Sequence, residues 1–194
     1  MKKLALGVAL GLLAAAPAFS EEINPLQSDT LIKKVINEPG TAYTFYGPGM
    51  TQKQMKDSEI PGGVFVRVDV SQKGGHPWDV GGGYSVDKPI KAGDVIFFAI
   101  YARAPNLKDG ETASMPGLGV CQNAAPYTPI AVADKQITNQ WGVYYIAAKA
   151  TSAWRRGEAH VAMQLAADKQ VIDLGPVFVL DLGPDYDINS LPHN

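Results

Sequence analysis

Short runs of alternating side chains, broken every few residues by glycine or proline, constrain this chain more than any other feature. In VIFFAIYARA, residues 95–104, Ile96, Phe98, Ile100 and Ala102 fall on one face of an extended backbone. Val95, Phe97, Ala99, Tyr101 and Arg103 fall on the other. VFVRVDV (64–70) sets Val64, Val66, Val68 and Val70 against Phe65, Arg67 and Asp69. AHVAMQLA (159–166) sets Ala159, Val161, Met163 and Leu165 against His160, Ala162 and Gln164. The 20 glycines and 14 prolines are scattered between such runs, as turn residues are. The pattern predicts strands near 41–46, 63–70, 94–104, 117–122, 141–150, 158–166 and 170–182. It predicts one helix over 28–37, opened by Ser28 or Asp29 and stopped by Pro39. Many short strands with Gly/Pro turns imply an all-β chain, an antiparallel sandwich or barrel. Its expected core is Val64, Val66, Val68, Ile96, Phe98, Ile100, Val161, Met163, Leu165, Leu174, Phe178 and Leu180.

The ends of the chain differ from its middle. MKKLALGVALGLLAAAPAFS carries Lys2 and Lys3, an apolar run from Leu4 to Ala16 and a small-residue stop. It reads as a signal peptide spanning 1–20 and cut after Ser20, so the mature chain is expected to be periplasmic or secreted, with no membrane partner. Residues 21–183 then make one domain, and 184–194, which has no periodicity, reads as a loose tail. With 19 acidic against 17 basic residues and no basic run, nucleic acid is a poor partner. Cys121 is the single cysteine, so no internal disulfide forms; GLGVCQN suggests a buried thiol.

Catalytic signatures are missing. GYSVD lacks the second glycine of a nucleophile elbow, GPGMTQK lacks phosphate-loop spacing, and there is no H-E-x-x-H. His76, His160 and His193 are far apart in sequence, without clustered cysteines. His160 paired with an acid would make a small hydrolase, a less favoured reading; the chain is expected not to be an enzyme.

Aromatic residues beside turns offer another chemistry. Trp78 sits in GGHPWDVGGG, residues 74–83, among five glycines and a proline. A flat ring gives the C–H face of a sugar an apolar platform, and amides, carboxylates and guanidinium groups fix its hydroxyls. On this reading Trp78 is one wall of a ligand site, Asp79 accepts bonds from sugar hydroxyls, and Tyr127 is a second aromatic. The competing reading folds Trp78 under the sandwich as a lid on its core. Tyr101, Arg103, His160 and Gln164 each lie out of phase with the apolar residues of their strands. If their strands share a sheet, the four converge on a shallow groove.

The order of segments resembles a known family. KPIKAGDVIFFAIYARA (88–104), NQWGVYYIAAKA (139–150), GEAHVAMQLAADKQVIDLGPVFVLDLG (157–183) and GGHPWDV (74–80) are similar to segments of carbohydrate-binding modules of the xylanase- and endoglucanase-associated type. The resemblance covers about residues 41–183. It implies an antiparallel β-sandwich jelly roll, galactose-binding-like, with a non-catalytic role toward a polysaccharide or oligosaccharide and a separate glycoside hydrolase as companion. It implies no cofactor, although relatives of this fold often hold a structural calcium at a loop. The glycines after Asp79 motivate an alternative: a periplasmic interaction module of the same fold without a sugar site.

Overall fold

The computed structural model describes residues 29–194. The expected signal peptide and Ser28 lie outside the described residues. Ten strands form two five-stranded antiparallel sheets. The first sheet runs in the order β1 (Thr44–Tyr46), β4 (Gly81–Ser85), β9 (Ala159–Gln164), β6 (Ala113–Gln122), β7 (Pro129–Ile137). The second runs β2 (Met50–Lys56), β3 (Val64–Val70), β10 (Gln170–Asp181), β5 (Val95–Arg103), β8 (Gly142–Lys149). The sandwich expected from the strand pattern is present, and among the described residues helix is confined to α1 (Asp29–Ile32) and three short 3₁₀ turns. The expected helix over 28–37 thus stops early. From Val35 the chain is extended, with bridges from Val35 to Leu180 and Gly40 to Val177. Asn37, which is buried, donates to the Val177 carbonyl at 3.0 Å and accepts from the Val179 N–H at 2.7 Å.

The main core lies between the sheets. Val66, Val68, Ile96, Phe98, Ile100 and Leu174 from one sheet meet Val161 and Met163 from the other, with Leu165 just beyond, all buried as expected. Three expected core residues are placed differently. Val64 is only partly buried, at the mouth of its strand. Phe178 and Leu180 lie on the outer face of the second sheet. The cause is a register shift in β10 between Leu174 and Val177, at Gly175–Pro176. An inserted residue reverses which side chains face inward. Val177 and Val179 therefore fill the core instead.

The outer face of the second sheet is also apolar and is covered. Phe97, Ala99, Leu180 and Leu182 pack there with Leu191, and Leu31 and Val35 join them. Residues 184–194 are thus no loose tail. Besides Leu191, Asn194 holds the edge strand β8, donating to the Val143 carbonyl at 2.6 Å and accepting from the Tyr145 N–H at 3.1 Å.

Three strands escaped the sequence pattern: β2, β4 and β7. The sequence MTQKQMK of β2 is polar on both faces because it is an exposed edge. The first three residues of β4 are glycines, which carry no alternation to read. Gly81–Gly83, which lay outside the expected strands, hydrogen-bond into a sheet between β1 and β9.

Candidate functional site

Inward residues of the first sheet are Phe45, Tyr84, Leu118, Val120, Ala131, Val161 and Met163. Strand alternation turns their neighbours outward, and the register aligns those neighbours in rows across the strands. The middle row reads Thr44, Gly83, Ala162, Gly119, Val132. Every member is small. One flanking row holds Tyr46, Gly81 and Gln164; the other holds Ser85, His160 and Cys121. The arrangement is a trough that crosses five strands, roughly 19 Å at a strand spacing of about 4.8 Å. Part of it is a pocket of about 390 Å³ lined by Thr44, Tyr46, Gly83, Ser85, His160 and Ala162, with Asp87, Asn123 and Arg156 also in its lining.

The walls are held by the glycines beneath them. A Cβ on Gly81 would lie 2.4 Å from the Tyr46 hydroxyl oxygen, so the phenol lies flat across that strand. A Cβ on Gly117 would lie 2.5 Å from the Gln164 amide nitrogen, and the positive φ of 62° at Gly117 also suits glycine. Gly83 differs. A Cβ there meets only the Val161 carbonyl oxygen at 3.4 Å and His160 Cδ2 at 3.7 Å, ordinary contacts that leave the middle row open to occupation.

The titratable groups of the flanking rows are neutral at pH 7, while Asp87 and Arg156 add charge to the pocket lining. Burial pushes the His160 imidazole below its usual value and the Cys121 thiol up to about 11. Their ring nitrogen and sulfur are 3.8 Å apart, a neutral pair rather than a thiolate–imidazolium couple. Burial, and then the neighbouring Cys121 and Tyr127, raise the Tyr46 hydroxyl above its usual value. Tyr46 is therefore a donor at pH 7, within electrostatic reach of both Cys121 and Tyr127. Cys121 is buried, as expected, but on the trough side of its strand and outside the main core.

The expected groove of Tyr101, Arg103, His160 and Gln164 is corrected by the topology. His160 and Gln164 belong to β9 and share the trough; Tyr101 and Arg103 belong to β5, in the opposite sheet. Their alternation was read correctly, but two sheets have two outer faces. Arg103 is committed there. Its Nε donates to buried Asp173 at 2.9 Å, Nη1 lies 3.2 Å from Asp57, and its guanidinium stacks 4.5 Å from the Trp141 ring centre. Arg67 grips the same Asp173 with two bonds of 2.7 and 2.8 Å. Tyr101 is buried beside Phe65 and Ile60.

Trp78 is 53% exposed and belongs to no apolar cluster, which excludes the lid reading. It sits in a 3₁₀ turn, Pro77–Asp79, three residues before Gly81. Asp79 Oδ2 accepts from the His76 N–H at 2.9 Å, so that oxygen holds the turn together. Tyr127 is 61% exposed at the β6–β7 turn, beyond the Cys121 end of the trough, with φ of 56°. Tyr46, 53% exposed, was missed because β1 is three residues long and at the sheet edge. Thr44, Gly83 and Gly119 were missed because their contribution is small size, which acquires meaning only in register.

Among the described residues no three His, Cys, Asp or Glu side chains gather to hold a metal ion, and no calcium ligand set is assigned. Among the same residues, no helix is long and apolar enough to cross a membrane.

No family model and no curated protein matches the chain. Solved structures do match in fold. One is an arabinose-bound GH51 α-L-arabinofuranosidase, at TM-score 0.53 and 14% identity over 79% of this chain; the chain spans only 26% of that protein. A carbohydrate-binding module described as BiXyn10A CBM1 matches at TM-score 0.52 and 13% identity, over 73% of this chain and 90% of the module. The CBM22-1–GH10 modules of Clostridium thermocellum endo-1,4-β-D-xylanase 10B, complexed with xylohexaose, match at TM-score 0.52 and 10% identity. That match covers 76% of this chain and 29% of that one. The chain has the β-sandwich fold of xylanase-associated carbohydrate-binding modules.

Proposed function

We propose that this protein is a periplasmic or secreted, non-catalytic carbohydrate-binding protein that lays a polysaccharide or oligosaccharide along the trough. The observation that carries the reading is the row Thr44–Gly83–Ala162–Gly119–Val132, small at every position, between flanking rows that carry polar side chains. A sugar chain needs room for its rings and hydroxyl, amide and imidazole partners for its edges. Tyr46, Gln164, Ser85 and His160 supply the partners. The fold likeness to carbohydrate-binding modules supports the same reading. A separate glycoside hydrolase acting on the same polymer is the companion this role calls for. His160 is no hydrolytic base on this reading, since its near neighbour is a thiol and burial weakens its basicity. Binding falls in the range of roughly micromolar to millimolar Kd, about −8 to −4 kcal/mol.

Affinity electrophoresis against soluble xylans, glucans and mannans tests the proposal. The parent is expected to be retarded by at least one polymer. Gly83→Leu, which fills the middle row without a backbone clash, is expected to abolish retardation with Tm unchanged within about 2 °C. Parent mobility unaffected by every polymer, or full binding by Gly83→Leu, would sink it.

A further inference from the structure

Trp78 is built as carefully as the trough, yet it stabilises no core. The turn that carries it is tied at several points. The Asp79 N–H donates to the His76 carbonyl at 3.1 Å, and the Asp79 carboxylate accepts from the His76 N–H at 2.9 Å. The Ala166 N–H, just past β9, donates to the Pro77 carbonyl at 2.9 Å, and the Gly74 N–H donates to the Ala166 carbonyl at 3.0 Å. Gly74 is packed so tightly that a Cβ would lie 2.7 Å from the His76 carbonyl oxygen and 2.9 Å from Ala166 Cβ. The glycines and proline around Trp78 therefore make a fixed turn and not a flexible loop.

The indole has one neighbour of its own shape. The His76 imidazole lies parallel to it, with ring centres 4.6 Å apart and planes 6° apart. A single exposed aromatic needs no explanation. A ring on a cross-braced turn, backed by a second ring and contributing to no apolar cluster, is different. The fixed backbone and the stacked His76 ring restrict its rotamers before any ligand arrives, which lowers part of the cost of binding.

We propose that His76 is a positioning residue that makes Trp78 a one-sided stacking platform for the C–H face of a pyranose ring. The proposal rests on the carbohydrate reading and adds a contact beyond the trough. The sugars it fits are uncharged pyranoses with equatorial hydroxyls, whose flat faces expose C–H bonds to an aromatic ring. His76 acts by shape: a planar ring covers one face of the indole and holds the other ready. Asp79 holds the backbone of the same turn through its Oδ2.

The test is isothermal titration of the full chain with xylohexaose, cellohexaose and mannohexaose, together with NMR of the histidine ring protons. Trp78→Ala is expected to weaken the best hexaose at least tenfold and His76→Ala at least fivefold. His76→Phe, which restores a flat ring, is expected to bind within twofold of the parent. The bond between Asp79 and the backbone of residue 76 survives all three changes, so Tm should stay within about 2 °C. The His76 ring protons should be shifted upfield in the parent and return to ordinary positions in Trp78→Ala. Parental affinity in Trp78→Ala, with Gly83→Leu still inactive, overturns the platform and leaves the trough standing. Parental affinity in His76→Ala, or no rescue by His76→Phe, overturns the positioning role. A parent that binds no hexaose, while Gly83→Leu and the parent both ignore every polymer, removes the carbohydrate reading and this inference with it.

Discussion

The two outer faces of the sandwich are made by the same alternation and end in opposite states. On the second sheet the outward side chains are large: Phe65, Phe97, Tyr101 and Arg103, with Trp141 beside them. That face is sealed by α1, the C-terminal residues and an ion network around Asp173. On the first sheet the outward positions include Gly81, Gly83, Gly117, Gly119 and Ala162 between Tyr46, Gln164, Ser85 and His160, and the face stays open as a trough. The difference teaches that outward polarity is a poor guide to a binding face. Arg103, Asp173 and Tyr101 are polar because they close a surface; the glycines are silent because they leave one free.

The sharpest way to break this comparison is to attack the sealed face and watch the open one. Asp173 is fully buried and accepts from two guanidinium groups. Asp173→Ala leaves Arg67 without its partner and Arg103 with Asp57 alone, at a cost of about 3 kcal/mol, the low end for a broken buried pair because both arginines are partly exposed. Chemical denaturation measures the loss. Glycan affinity of the folded fraction should be unchanged; a matching fall in affinity would show that the faces are coupled.

A smaller effect separates the faces by pH. Burial raises the Asp181 carboxyl above its usual value; the Gly183 N–H opposes this and neighbouring Asp94 adds to it. The folded chain thus holds this proton where the unfolded chain has lost it. The group's stabilising contribution is complete below the unfolded value and is lost as pH rises through the raised folded one. Asp181→Asn should therefore raise Tm at pH 7, and the gain should close as pH falls toward 3.5. A Tm lowered at pH 7 would refute the sign. Asp181 lies at the end of β10, in the sheet opposite the trough, so glycan binding should not follow this titration.

The smallest expected effect is on the open face itself. Cys121, with its thiol held up to about 11 and its side chain buried at the trough wall, should react slowly with a disulfide reagent at pH 8. Saturating glycan should slow it further. Reaction at the rate of a free thiol would show that the wall is not packed as described.

Much of the fold was legible in the sequence, for a local reason. Period-two alternation is written strand by strand, so the inward residues of β3, β5 and β9 could be named, and the segment resemblance pointed to the sandwich. Phe178 and Leu180 escaped because a register shift at Gly175–Pro176 reverses the phase without changing the composition. His160 and Gln164 were legible as outward polar residues on one strand, and they do share a face. That Tyr101 and Arg103 share a different one depends on which strands hydrogen-bond, a non-local matter on which alternation is silent.

By itself the sequence determined the class of structure and the alternation, since these depend on residues within a few positions of one another. Only the tertiary structure decided that three glycines form a strand and that Thr44, Gly83, Ala162, Gly119 and Val132 stand in one row. A glycine carries no side chain to signal its face. Its meaning here comes from neighbours on four other strands, brought alongside by backbone hydrogen bonds between residues as far apart in sequence as Gly83 and Ala162.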